Sequence, residues 1–131
     1  MAALRVPANA VIRDYLPHRA LMPGAALCVT HLGHGTLTEA MLQGVPLVCL
    51  PNPMSDQIYL AQRVSTLGAG VQIDQDAEPA TIREAVATVL STSSYREAAG
   101  ALRTRIGQGG AGRAAEVIEA VLPVKVARAR G

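Results

Sequence analysis

Aromatic residues are the scarcest material in this sequence. They make up 2% of the 131 residues, as three tyrosines with no tryptophan and no phenylalanine. Since aromatic side chains usually supply much of the buried area in a core, the core here must be built from alanine, valine, leucine and isoleucine. The hydrophobic content of 50% is enough for one modest core in a chain of this length. We therefore predict a single domain.

The sequence also has no large excess of charge of either sign. Twelve basic and ten acidic residues leave a formal net charge of +2, which is too small to indicate a surface for nucleic acid. The two cysteines, Cys28 and Cys49, each lie inside an apolar run, where free thiols behave as small hydrophobic groups. We predict that both are reduced and structural, as is usual for intracellular proteins.

Long hydrophobic runs are absent. No stretch approaches the ~20 apolar residues of a membrane span, and the N-terminus lacks the charged, apolar and small-residue regions of a secretory signal. The sequence therefore predicts a cytoplasmic protein with no membrane span.

Short apolar runs alternate with segments of helical spacing along the chain. This alternation predicts an α/β fold with a partial parallel sheet of about four strands flanked by helices. Because open parallel sheets are usually larger, we expect the chain to begin partway into a domain spanning residues 1–122, with a loosely held tail at 123–131. Strands are predicted at 10–15, 25–30, 47–50 and 70–73, and helices at 36–43, 55–67, from Pro79 onwards, at 94–106 and at 113–122.

A glycine-rich turn, His31-Leu32-Gly33-His34-Gly35-Thr36, stands where a predicted strand gives way to a helix. Free backbone N–H groups and the positive end of the helix dipole meet at such a junction and favour an anion. Alternatively, the glycines only permit a tight turn, and Thr36 with Glu39 forms a capping box. His31 and His34 have no third ligand nearby, so we predict no metal.

A second polar segment, from Leu50 to Gln57, again follows a predicted strand. Its prolines place Asp56 and Gln57 on the first turn of the next helix, where the two side chains can hydrogen-bond a polyhydroxylated ligand such as a sugar. The alternative is that Asp56 only complements the helix dipole.

Taken together, these motifs resemble the donor-site signature of nucleotide-sugar-dependent glycosyltransferases with two Rossmann-like domains, the GT-B fold. The resemblance covers about residues 7–122, and is closest in style to the C-terminal domains of bacterial enzymes that glycosylate macrolides and other natural products. It rests on these residues in order: Asn9, Tyr15-Leu16-Pro17-His18, His31-x-Gly33-x-Gly35-Thr36-x-x-Glu39, Gly44-Val45-Pro46, Pro51, Asp56-Gln57 and Leu67-Gly68-Ala69-Gly70-Val71.

The resemblance implies that the diphosphate of a UDP- or dTDP-sugar binds at His31, Gly33, Gly35 and Thr36. In the same way it implies that Glu39 bonds the ribose hydroxyls. It implies no cofactor and no metal, since the nucleotide sugar is the substrate.

The remaining implied contacts flank this centre. Tyr15 stands where the family often has an aromatic residue stacked on the base, and the backbone of Leu16 would read the pyrimidine edge. Asp56 and Gln57 would face the hydroxyls of the transferred sugar.

Two positions depart from the family pattern. Many bacterial members have glycine where this chain has Leu32, and we expect the leucine to narrow the approach to the backbone. Many members have a small residue where this chain has His34. We expect the His34 side chain either to add a positive or hydrogen-bonding group near the phosphates or to project into solvent, and we favour the second.

Family members are much longer than this chain, and their N-terminal domain binds the acceptor and carries the His and Asp that deprotonate its hydroxyl. We therefore expect the chain to be an incomplete part of an inverting glycosyltransferase that acts on a small-molecule acceptor, with no catalytic residue of its own and little activity alone. The alternative is a non-catalytic nucleotide-diphosphate-binding module that needs a separate acceptor-domain chain. A third interpretation is a remnant whose open sheet edge drives self-association.

Overall fold

The computed structural model describes residues 6–53, 56–107 and 110–122. Short parallel strands alternate with helices, and three helices follow the last strand. In order, the elements are α1 (His18–Leu21), a 3₁₀ turn (Met22–Gly24), β1 (Cys28–Thr30), α2 (His34–Gln43), β2 (Leu47–Cys49), α3 (Gln57–Thr66), β3 (Gly70–Gln72), α4 (Pro79–Ser91), α5 (Ser93–Ile106) and α6 (Gly110–Val121).

The sheet has the order β1-β2-β3, and both pairings are parallel. Val48 at the centre of β2 pairs with Val29 on one side and Val71 on the other. The predicted parallel α/β architecture is therefore confirmed. Three of the predicted strands form, each shorter than the apolar run that indicated it.

The strand predicted at 10–15 is wrong. This segment has no regular secondary structure, and its apolar side chains are exposed, as Val11 and Ile12 show. A strand needs a neighbouring strand for its backbone hydrogen bonds, and none of the described residues pairs with this segment. The described sheet consequently has three strands rather than about four.

Side chains of β2 alternate between two apolar clusters. Leu47 and Cys49 point into the larger cluster, which is formed with α2, α3 and α5. Val48 points to the opposite face, where it packs against Ala85 and Val89 of α4. Helices thus cover both faces of the sheet, and β2 is its central strand.

Predicted helix positions agree with the structure to within a few residues. Gly44 ends α2 in the left-handed conformation with φ 67°, as expected of a C-cap glycine. The predicted helix start at Ser55 and the tail at 123–131 lie outside the described residues. Among the helices of the described part, none is long and apolar enough to cross a membrane.

Candidate functional site

Both polar motifs lie at the same edge of the sheet. Residues 31–33 connect β1 to α2, and residues 50–56 connect β2 to α3. Because β1 and β2 are parallel neighbours, the two connections leave the sheet side by side. Ligands of open α/β sheets bind outside the carboxyl ends of the strands, so this edge is the candidate site.

The first motif forms an uncapped helix N-terminus. Gly33 is the N-cap of α2 and has no side chain with which to bond the first-turn N–H groups, and the N–H of Leu37 donates to the Gly33 carbonyl. A Cβ added to Gly33 or Gly35 would meet no atom within 4 Å, so the space beside the turn is open. The N–H groups of the first turn are therefore available to an anion.

The alternative capping box is wrong. The helix begins at His34, two residues before Thr36, so Thr36 lies inside the first turn and cannot serve as N-cap. Its hydroxyl lies 3.4 Å from Nδ1 of His18 instead. Glu39 is held by two other contacts: its Oε2 lies 3.9 Å from Nε of Arg19, and its Oε1 accepts a 3.5 Å hydrogen bond from Gln43.

The contacts of His18 with Thr36 and of Arg19 with Glu39 join α1 to α2. Arg19 is mostly exposed, whereas the side chain of Glu39 is only 15% exposed. The carboxylate is therefore held partly buried, beside a cation that counters its charge.

Leu32 does not narrow the approach to the backbone. Its side chain is fully buried in the larger apolar cluster, and its N–H donates to Oγ1 of Thr30 at 3.0 Å. Its φ of 65° is the left-handed conformation, which costs a residue other than glycine about 1–2 kcal/mol. A glycine would adopt this backbone conformation without that cost.

The second motif contacts the first. Nε2 of His34 lies 3.3 Å from Oδ2 of Asp56. The side chain of His34 is largely exposed to solvent, as expected, and it contacts Asp56 as well. Gln57 is oriented within its own connection, because its Oε1 accepts the N–H of Asn52 at 2.9 Å. Asp56 forms no side-chain hydrogen bond that caps α3.

Two open clefts adjoin at this edge and share the end of β1 and His31. One, of about 590 Å³, is lined by His31, Asn52, Gln57 and Gln75. The other, of about 940 Å³, runs past His31, Thr36 and Leu16 towards the segment before α1. His31 therefore stands between the predicted sugar end and the predicted base end.

Of the two predicted base-binding residues, Leu16 lies in the larger cleft and Tyr15 does not. Leu16 lines the larger cleft with Thr36. Tyr15 is 81% exposed and is not among the side chains that line this cleft. Of the predicted residues, His31, Thr36, Gln57 and Leu16 line the two clefts, whereas the side chains of Glu39, Asp56 and Tyr15 line neither.

The cysteines are held as neutral thiols. Burial raises the pKa of Cys28, and burial together with the nearby Cys28 raises the pKa of Cys49 to about 12. Cys28 lines the larger cleft, where a protonated thiol acts as an apolar wall. Nowhere in the described part of the chain do three His, Cys, Asp or Glu side chains gather closely enough to hold a metal ion.

Sequence reasoning missed several polar residues of this edge. Arg19 contacts Glu39, and Asn52 and Gln75 line the smaller cleft. Asn52 and Gln75 follow β2 and β3, so their position after a strand was a usable signal. Arg19 carried no such signal, because it approaches Glu39 through the packing of α1.

Comparison with known proteins identifies the relatives of this chain. The model of the "Erythromycin biosynthesis protein CIII-like, C-terminal domain" family matches residues 2–123. The chain is 35% identical over 119 residues to the NDP-glycosyltransferase YjiC of Bacillus subtilis (strain 168), an alignment that covers 89% of the chain and 30% of that protein.

Solved structures give the same result. The glycotransferase of kitacinnamycin superposes with a TM-score of 0.82 at 33% identity, over 93% of this chain and 32% of that one. The glycosyltransferase VinC, solved in complex with dTDP, superposes with a TM-score of 0.76 at 30% identity, over 79% of this chain and 26% of that one.

The chain spans less than a third of the length of each of these three proteins. Its family match, its parallel α/β fold and the fold of its solved neighbours agree with the sequence motifs. This chain belongs to the glycosyltransferase family whose model describes the C-terminal domain of erythromycin biosynthesis protein CIII-like proteins.

Proposed function

We propose that this chain binds a UDP- or dTDP-sugar as the donor-binding part of an inverting glycosyltransferase, which transfers the sugar to a hydroxyl of a small-molecule acceptor. One observation carries the proposal: residues from two separate motifs, which sequence reasoning assigned to one donor, line two clefts that adjoin at His31. A ligand with a base at one end and a sugar at the other matches this arrangement. The dTDP bound in the similar protein VinC supports this ligand class.

The diphosphate would lie at the centre, against His31 and the first turn of α2. The N–H groups of this turn have no side-chain cap, and the turn is open beside Gly33 and Gly35. Oriented N–H dipoles and an imidazole stabilise negative charge without reorganising during the reaction. They therefore serve the leaving group of a glycosyl transfer.

The two ends of the donor would be held on either side. Glu39 would accept hydrogen bonds from the ribose hydroxyls, Leu16 and Tyr15 would meet the pyrimidine, and Asp56 and Gln57 would bond the sugar. Gln57 begins α3 and lines the smaller cleft, and Asp56 is the N-cap of the same helix.

In the proposed reaction an acceptor oxygen attacks the anomeric carbon. The bond from that carbon to the diphosphate breaks on the opposite face, and its electron pair leaves with the nucleoside diphosphate. The acceptor proton passes to a general base on the acceptor domain, which we place outside this chain. Donor binding without transfer is accordingly the activity we propose for the chain alone.

Calorimetric titration with UDP and dTDP tests donor binding. We expect Glu39→Ala and His31→Ala each to weaken binding by about 10- to 100-fold, the range for a lost hydrogen bond to a charged group. Glu97→Ala is the matched control, because Glu97 is exposed on α5, away from both clefts. A wild-type chain with native helical circular dichroism that binds neither nucleotide would contradict the proposal.

A non-catalytic module that joins a separate acceptor-domain chain is the second candidate. It would use the same donor site, and the two candidates differ only in which polypeptide carries the acceptor domain. The test is to add an acceptor-domain chain and measure sugar transfer. Transfer by the mixture would support a two-chain assembly, and its absence would favour a donor domain that acts only within one longer polypeptide.

A further inference from the structure

His34 and Asp56 connect the two helices of the candidate site. His34 is the first residue of α2, and Asp56 immediately precedes α3. Their side chains meet with Nε2 of His34 at 3.3 Å from Oδ2 of Asp56. This contact joins the connection that follows β1 to the connection that follows β2.

The carboxylate of Asp56 is directed by α2 rather than by its own helix. It makes no capping hydrogen bond on α3, and within residues 6–53, 56–107 and 110–122 His34 is its one polar side-chain partner. Gln57, the next residue, is oriented instead by the N–H of Asn52. The two predicted sugar-binding side chains therefore owe their orientations to different contacts.

We propose that His34 is a positioning residue that holds Asp56 towards the sugar of a bound nucleotide sugar. This inference rests on the proposed function. A carboxylate has about four acceptor sites on two oxygens, so Oδ2 can contact His34 while Oδ1 accepts a hydrogen bond from a sugar hydroxyl. The side chains are 73% and 62% exposed, so a ligand can reach the pair.

The effect of His34 should be confined to ligands that carry a sugar. The diphosphate is assigned to His31 and the amides of α2, which remain when the imidazole of His34 is removed. Since an exposed pair of this kind contributes little energy, we expect its loss to weaken sugar-dependent binding by about two- to fivefold.

Calorimetry on the full chain tests this role with two ligand pairs: UDP with UDP-glucose, and dTDP with dTDP-glucose. His34→Ala should weaken the nucleotide sugar by about two- to fivefold and leave the nucleoside diphosphate unchanged. His34→Gln keeps an N–H donor and should restore most of the loss. Thr38→Ala, on an exposed position of α2, is the control and should change neither ligand.

The double variant gives the sharper result. In an Asp56→Asn background, His34→Ala should cause no further loss, because the residue that it positions is already altered. Equal weakening of both ligands would overturn the inference, since His34 would then contact the diphosphate directly. Unchanged binding of both ligands in a folded His34→Ala variant would also overturn it.

These outcomes are distinct from failure of the proposed function. If the folded wild-type chain binds no nucleoside diphosphate, the donor assignment is wrong and the role of His34 falls with it. If UDP or dTDP binds and Glu39→Ala weakens it, while His34→Ala leaves every ligand unchanged, only the positioning role is wrong.

Discussion

The neighbouring strands β1 and β2 have equal lengths and carry similar motifs at their carboxyl ends, yet they are used differently. Every residue of β2 is buried, and β2 pairs on both sides. In β1, by contrast, Val29 is 47% exposed and lines both clefts. Thus β2 belongs to the core, whereas its neighbour β1 forms a wall of the two clefts.

The same division extends to the polar residues. Among the described residues, no polar or charged side chain is fully buried, and His31, Thr36 and Gln57 line the clefts at the edge of the sheet. Stability and binding therefore depend on largely separate residues. Substitutions on the two strands measure this separation.

The largest difference should come from truncating one apolar residue on each strand. Leu47→Ala on β2 removes a fully buried side chain and should lower the free energy of unfolding by about 2–5 kcal/mol. Val29→Ala on β1, at a half-exposed site, should cost about 1 kcal/mol or less. Urea unfolding followed by circular dichroism measures both, and equal losses would remove the contrast between the strands.

An alkaline pH series compares the two cysteines. The pKa of Cys49 on β2 is raised to about 12, and that of Cys28 on β1 is raised from 9.0. The unfolded chain therefore releases its thiol protons at lower pH than the folded chain. Stability should be unaffected by this term below about pH 9 and should fall above it by up to about 1.4 kcal/mol per pH unit for Cys49.

Variants separate the thiols from the other groups that titrate in this range. The slope of unfolding free energy against pH between 9 and 12 should become shallower in Cys49→Ala, and by a smaller amount in Cys28→Ala. Parallel slopes for wild type and Cys49→Ala would show that the buried thiol does not contribute.

The smallest expected effect concerns Leu32, which is fully buried although it lies in the turn after β1, beside the site. Leu32→Ala and Leu32→Gly both remove the packed side chain, but only glycine relieves the positive φ of 65°. Glycine should therefore be more stable than alanine here by about 1 kcal/mol, the reverse of the usual order. Thermal or urea unfolding of the two variants measures the difference, and a more stable alanine variant would show that the turn relaxes.

Sequence reasoning predicted the elements that carry local signals. Apolar runs bounded by glycine and proline indicated β1, β2 and β3, and Gly44 marked the end of α2. The strand predicted at 10–15 failed, because strand formation depends on a partner that local alternation cannot reveal. The start of α2 was also misplaced: its N-cap is Gly33, which has no capping side chain that would mark the helix start in the sequence.

The sequence motifs predicted some of the residues that line the two clefts, but not the contacts between side chains. His31, Thr36 and Gln57 line the adjoining clefts as their motifs suggested. The pairs Arg19–Glu39 and His34–Asp56 join residues far apart in the chain. Such pairs depend on how helices pack, which spacing in one sequence does not encode.

The position of His31 between two clefts has a consequence for inhibitor design. A small fragment can occupy either cleft by itself, one against Leu16 and Thr36 and the other against Asn52 and Gln57. Joining two such fragments by a linker that passes His31 makes the second binding event intramolecular, so that affinity rises without any additional contact. The length of that linker, together with the affinities of the two fragments, would then determine how tightly the linked molecule binds.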